Sequence, residues 1–172
     1  MIKAVPFSKC WWVTEDLLAG PAFFAGSSAA LIENMDALES AGITDIVSLV
    51  SVDEFFPEDE ADAVIEQIHD RFLIWHGFAL PDGSAPDQST MEVILGWIDA
   101  GLRPRAKVFV HCLSGRGRTG TVIGCWLARH GIAQGQSVIE RLATLRQAAG
   151  LRGDCPETPP QRERVTAWRV GE

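Results

Sequence analysis

Apolar residues recur along this chain in two alternating rhythms. Short apolar runs bounded by turn residues predict strands. The first two are Trp11-Trp12-Val13 and Leu17-Leu18-Ala19-Gly20, joined by the polar turn Thr14-Glu15-Asp16 in an opening segment from Phe7 to Gly26. Ile43 to Val50, rich in β-branched residues, Leu73 to Leu80 and Lys107 to Cys112 read as further strands. Apolar positions three and four apart predict the helices between them. Leu31, Met35 and Leu38 mark one from a Ser28 cap to Ser40, with Gly42 after its end. Ala61, Val64, Ile65, Ile68 and Phe72 mark another over Glu58 to Asp70, and Met91, Ile94, Leu95, Ile98 and Leu102 a third before Pro104. Thr121 to Arg129 is apolar nearly all round, which predicts a buried central helix. Val138, Ile139, Leu142 and Leu145 give a helix closed by Gly150, and Gln161 to Trp168 gives the last, with Pro159 and Pro160 near its start. The acidic stretch Ser51 to Glu60 is expected to be an exposed loop, and at least one of the paired tryptophans to pack in a core. Strand and helix alternate without a repeat or long linker. The expectation is a single α/β domain over residues 1–172, with a central, mostly parallel, twisted sheet of about five strands flanked by helices.

The most informative stretch joins the last strand to the central helix: His111-Cys112-Leu113-Ser114-Gly115-Arg116-Gly117-Arg118-Thr119-Gly120. A strand, a glycine-bearing loop and a helix N-terminus make an anion site, because the amides converge and the helix dipole is positive there. Leu113, Ser114, Gly115, Arg116 and Gly117 form the cradle, and the two glycines permit backbone angles and approaches that other residues resist. Arg118 adds a permanently charged fork that suits two phosphate oxygens at once. Cys112 makes such a site reactive. A free thiol has a reference pKa of about 8.5, and the helix N-terminus, the amides and Arg118 all favour the thiolate. That sulfur would lie at the floor of a phosphate cradle, in line for attack on phosphorus. Thr119 is placed to hydrogen-bond the sulfur and help it leave. His111, on the opposite strand face from Cys112, is expected to hold the loop by hydrogen bonds.

His111, Cys112, Gly115, Arg118, Thr119 and Gly120 together resemble the signature of cysteine-dependent protein tyrosine phosphatases, H-C-x5-R-[ST], in the matching strand-loop-helix context. The resemblance implies a two-step mechanism through a phosphocysteine on Cys112. The length suits the compact dual-specificity branch, and the opening aromatic strand with its Leu-Ala-Gly segment is similar to the start of small phosphatases. It also implies a carboxylic acid from an upstream loop, since protonation of the leaving group needs one across the phosphate from Cys112. Leu80-Pro81-Asp82-Gly83-Ser84-Ala85-Pro86-Asp87 is similar to such loops in cell-division-cycle and kinase-associated phosphatases, and the matching acid is Asp82. Asp87 competes for the role, although a position directly before a helix suits an N-cap. Pro156-Glu157-Thr158-Pro159-Pro160-Gln161 looks like a weak form of the glutamine-bearing loop that positions water in longer tyrosine phosphatases. Gln161 fits one glutamine of that pattern, Glu157 stands where another is expected, and a helix cap and connection is the competing role.

Composition narrows the setting. The chain has 172 residues, enough for a sizeable core, and a net charge of -8, which argues against nucleic acid as a partner. No run approaches a membrane span, and Met1 to Pro6 lacks a signal-peptide pattern. Four cysteines without paired spacing suggest a reducing, cytoplasmic compartment. His69 and His76 have no partners at metal-ligand spacing and read as structural or surface histidines, so neither a metal nor a cofactor is expected. The expected substrate is a phosphorylated protein, with phosphotyrosine first and phosphoserine or phosphothreonine also open. Inositol phosphates or other small phosphomonoesters are a second class: Arg116 puts a cation beside the cradle, as a lysine does in tensin-like lipid phosphatases, whereas Leu113 stands where those enzymes often carry another. An inactive phosphate-binding module is the alternative outside enzymes.

Overall fold

The computed structural model describes residues 3–24, 28–72 and 74–172. Five strands form one sheet in the order β1-β2-β5-β3-β4. They are β1 (Trp11–Trp12), β2 (Leu17–Pro21), β3 (Asp45–Ser48), β4 (Ile74–Gly77) and β5 (Val108–Cys112). β1 and β2 pair antiparallel, and all other pairs are parallel. Six α-helices accompany them: α1 (Ser28–Ser40), α2 (Glu58–Arg71), α3 (Gln88–Gly101), α4 (Gly117–Arg129), α5 (Gln136–Ala148) and α6 (Pro159–Ala167). The expected α/β fold with a mostly parallel sheet is therefore what forms.

β5 is the last strand in sequence yet sits at the centre, between β2 and β3. Both neighbours hydrogen-bond to it, so all five of its residues are buried. A strand covered on both faces and both edges must be apolar throughout, which is why Val108, Phe109 and Val110 run without alternation. Its carboxyl end opens between two strands whose own connections lead elsewhere, the place where open α/β sheets hold ligands. α4 departs from that point and packs against α3, α5, α6 and the sheet. From Gly117 to Ala128 every residue of α4 is buried, as its all-round apolar character predicts.

Several boundaries differ from the sequence pattern, each for a physical reason. α4 starts at Gly117, not Thr121, because the loop glycine and Arg118 already take helical geometry. β3 is confined to Asp45–Ser48, the residues that ladder to both neighbours; Leu49 and Val50 continue as buried apolar chain beyond the sheet. The stretch expected as an exposed acidic loop is partly folded inward. Val52 to Glu54 forms a 3-10 turn, with Val52 buried and the Ser51 amide donating to Glu54 Oε1 at 3.2 Å. The helix that follows begins at Glu58 as expected. Leu73 and Gly26 lie outside the described residues, as does the side-chain cap expected of Ser28. Trp11 is fully buried, whereas Trp12 is half-buried and receives the Lys3 ammonium 3.4 Å above its ring.

Candidate active site

Cys112 ends β5 and is 2% exposed. The loop after it is held from outside, through its carbonyls. The Leu113 carbonyl accepts from the Ala22 amide at 3.2 Å, and the Arg116 carbonyl accepts from Gly120 N at 3.0 Å and from Cys155 Sγ at 3.3 Å. The Gly115 carbonyl accepts from Arg146 Nη1 at 3.2 Å. In a trans peptide the N–H points opposite to the C=O. Fixing these three carbonyls therefore turns the amides of Ser114, Arg116 and Gly117 to the other side, the arrangement of an anion nest. Gly115 makes the turn with φ +70°, and a Cβ there would lie 2.5 Å from the Gly20 carbonyl carbon, so neither angle nor space admits a side chain. Gly117 is confined less strictly, since a Cβ there would meet the movable end of the Glu157 side chain at 2.7 Å. Burial pushes the Cys155 thiol up to about 12, which keeps it protonated as a donor to the loop.

Arg118 stands on the first turn of α4 and is 2% exposed. Its Nη1 donates to the Leu80 carbonyl at 2.9 Å, from 38 positions away in the chain. Its Nη2 lies 3.3 Å from Asp82 Oδ1, and Glu54 Oε2 lies 3.9 Å from its Nη1. Nε is buried without a partner. A buried guanidinium N–H left open at the mouth of a nest is a donor waiting for an acceptor. The hydroxyl of Thr119 is likewise buried and unpartnered, so the expected bond to the Cys112 sulfur is not made in this state.

The loop after β4 brings in the acid candidates. Asp82 is largely exposed but reaches Arg118, and Gly83 turns the chain with φ +71°. Asp87 does not reach the site. It caps α3, accepting from Thr90 N at 2.8 Å and Ser89 Oγ at 2.9 Å. Those bonds, led by the Thr90 amide, hold its carboxyl below the usual range. The N-cap reading of Asp87 stands.

Of the two readings of Gln161 the helix cap is the one that forms, and His111 and Arg116 sit otherwise than expected. Neither ring nitrogen of His111 meets a hydrogen-bond partner at ordinary geometry, although the Cys112 backbone lies close enough to act on the ring. The ring is boxed by Phe23, Phe24 and Phe109 at centroid distances of 5.2, 5.3 and 5.3 Å, and desolvation lowers its pKa to about 3. It is a neutral packing residue beneath the cradle. Gln161 does not face the cradle as a free amide for water. Its Oε1 accepts from Glu157 N and Thr158 N, and its Nε2 donates to Ser84 O at 3.1 Å, so it caps α6 and ties that helix to the acid loop. The Arg116 side chain turns from the cradle to Glu157 at 3.3 Å and to the Asp154 carbonyl, leaving its backbone amide as its contribution. Leu113 and Ser114 are exposed on the rim. His69 and His76 both lie against indoles, of Trp75 and Trp97.

Residues 21–132 match the model of the family described as polymorphic toxin system, DSP-PTPase phosphatase. The chain belongs to that family. As a member, it shares 42% identity over 55 residues with the dual specificity protein phosphatase CDC14B of Mus musculus, covering 32% of this chain and 11% of that protein. It shares 26% identity over 121 residues with cyclin-dependent kinase inhibitor 3 of Sus scrofa, covering 70% of this chain and 57% of the relative. The chain thus spans less than two thirds of these relatives. Among solved structures, the active form of Tk-PTP superposes with a TM-score of 0.67 at 22% identity, over 92% of this chain and 95% of that one. Kinase associated phosphatase with its catalytic site cysteine replaced by serine superposes with a TM-score of 0.69 at 21% identity, over 87% and 82%. This DSP-PTPase family member has the dual-specificity phosphatase fold.

Sequence reasoning missed three side chains that shape the site. Glu54 approaches Arg118 from a stretch expected to be solvated, and nothing local signals it. Thr158 Oγ1 donates to the Gly83 carbonyl at 2.8 Å, and its Thr-x-x-Gln spacing to Gln161 was a legible capping box. Arg146 shares the buried stripe of α5 with Val138 and Leu142, and a charge on an apolar stripe was its signal.

Proposed function

We propose that this chain is a cysteine-dependent phosphomonoester hydrolase acting on phosphoproteins, with residues 1–172 forming one catalytic domain. Phosphotyrosine is the primary substrate, and phosphoserine and phosphothreonine are open to the same chemistry. The observation that supports the reading is the Asp82–Arg118 approach at 3.3 Å, with Arg118 and the buried Cys112 at the two ends of one loop.

Phosphate enters the nest, accepts from the amides of Ser114, Arg116 and Gly117, and takes the open Nε–H of Arg118. The Cys112 sulfur attacks phosphorus as the thiolate while the ester P–O bond breaks, and Asp82 gives its proton to the leaving oxygen. Water then attacks the phosphocysteine, Asp82 takes the water proton, and the sulfur leaves as thiolate, hydrogen-bonded by the Thr119 hydroxyl. Atoms and charge balance over the two steps without a metal or cofactor. The Arg116 side chain pairs with Glu157 rather than facing the loop, which favours the phosphoprotein reading over the inositol-phosphate one. A cytoplasmic setting is supported by four cysteines that are all free thiols. Among the described residues no helix is long and apolar enough to cross a membrane.

The test is turnover of p-nitrophenyl phosphate and of phosphotyrosine, phosphoserine and inositol phosphate substrates by the wild type and by Cys112→Ser. The wild type should prefer the phosphopeptides, and Cys112→Ser should turn over none while still binding phosphate. Iodoacetate should inactivate the wild type, with vanadate protecting. Substantial turnover by Cys112→Ser would sink the mechanism, and a preference for inositol phosphates the substrate class.

A further inference from the structure

The loop rests on a buried cation that no carboxylate balances. Arg146 is 4% exposed, and with Arg118 it makes the two buried arginines among the described residues. Its Nη1 donates to the Gly115 carbonyl at 3.2 Å and its Nη2 to the Arg152 carbonyl at 3.4 Å. Its guanidinium carbon lies 6.0 Å from the centroid of the Trp11 ring. Nε is buried without a partner. Among the described residues Arg146 has no ion pair, whereas Arg103 and Arg116 have one each and Arg118 has two.

An uncompensated buried charge is unfavourable, and an arginine cannot relieve it by losing its proton. Two carbonyls alone do not require a cation, since a neutral amide donor satisfies them. The feature that distinguishes a cation here is its address. Gly115 C=O belongs to the same peptide unit as Arg116 N–H, so holding the oxygen toward Arg146 aims that amide to the far side of the loop, into the nest. A cation on the oxygen also polarises the peptide and strengthens that N–H as a donor. The anion that would balance Arg146 is then the phosphate itself, across the thickness of one peptide.

We propose that Arg146 is a positioning residue of the phosphate site, which orients and polarises the Gly115–Arg116 peptide and supplies a second buried positive charge for the bound dianion. This rests on the phosphate-holding role of the loop argued above. Arg146 touches no substrate. It acts through Gly115, and the absence of any side chain on Gly115 lets the loop lie close against Gly20 while its oxygen faces Arg146.

The experiment measures tungstate binding by calorimetry, which needs no turnover, together with steady-state kinetics. The proteins are the full-length wild type, Arg146→Met, Arg146→Gln, Arg146→Lys and Arg141→Gln, all held below the lowest unfolding midpoint. Arg141 is exposed on the same helix, so its variant controls for net charge. Arg146→Met and Arg146→Gln should weaken tungstate on the order of 10-fold or more, and Arg146→Lys should recover most of that loss. KM should rise in parallel with the tungstate dissociation constant, and Arg141→Gln should bind as the wild type does. If Arg146→Met fails to fold, the contrast between Gln and Lys carries the same decision. Wild-type affinity in Arg146→Gln, or an equal loss in Arg141→Gln, would overturn the proposal. A chain that binds tungstate in this Arg146-dependent way yet hydrolyses nothing leaves the proposal standing and removes the hydrolase reading. A wild type that binds no tungstate removes both.

Discussion

Gln161 Nε2 donates to the Ser84 carbonyl at 3.1 Å, joining the first turn of α6 to the loop that carries Asp82. Thr158 adds a second tie, to the carbonyl of Gly83. A loop that must place a carboxyl beside a leaving oxygen gains from such anchoring, because misplacement by about 1 Å is enough to cost on the order of 100-fold. Gln161→Leu should therefore slow alkyl phosphates by roughly 10-fold or more and activated aryl phosphates much less, with tungstate affinity nearly unchanged. Equal losses for both substrate types would mean that Gln161 supports the fold and not the acid.

The same leaving-group comparison separates the two aspartates. Asp82 meets Arg118, whereas Asp87 is committed to the cap of α3. Asp82→Asn should lower kcat by about 10²- to 10⁴-fold with poor leaving groups and much less with activated aryl phosphates. Asp87→Asn should leave both nearly unchanged, because asparagine caps almost as well as aspartate. The reverse pattern would transfer the acid role to Asp87.

Arg118 holds the Leu80 carbonyl with one nitrogen while Nε stays open. A lysine keeps the charge but cannot serve both positions from one planar fork. Arg118→Lys should lower kcat/KM by on the order of 100-fold or more, since the bond to phosphate tightens as charge redistributes in the transition state. Steady-state kinetics on the folded variant decides it; near-normal turnover would reduce Arg118 to a strut for the Leu80 loop.

His111 makes stability depend on pH. Burial lowers its pKa to about 3 in the fold from the ordinary 6.5, so between those values the unfolded chain binds a proton that the native chain does not. Stability should thus be unaffected by this group above about pH 6.5 and should fall as pH drops through the window, by at most about 1.4 kcal/mol per pH unit. His111→Phe keeps an aromatic among Phe23, Phe24 and Phe109 and should flatten the slope between pH 7 and 5 in urea titrations. An unchanged slope in that variant would assign the acid sensitivity to other groups.

Much of the architecture was legible because it depends on local periodicity. The α-helix spacing of Leu31, Met35 and Leu38, and of Met91, Ile94, Leu95 and Ile98, places those residues on one buried face each, and the structure buries all of them. The uninterrupted apolar run into Cys112 announced a strand covered on both sides, and β5 lies at the centre of the sheet. The Asp87 cap was readable for the same reason, since capping involves only the three residues that follow.

The residue order alone places a thiol, an arginine and a helix N-terminus at fixed spacing, with a strand leading in. Contacts within a few residues are set by backbone geometry, which the residue order fully encodes. The direction in which side chains from elsewhere face that point comes from the tertiary packing. Asp82 and Glu54 reach Arg118, Gln161 turns to Ser84, Arg116 turns away to Glu157, and Arg146 rises beneath Gly115. Each of these depends on how helices and loops distant in the chain stack around β5, and neither periodicity nor spacing records that packing.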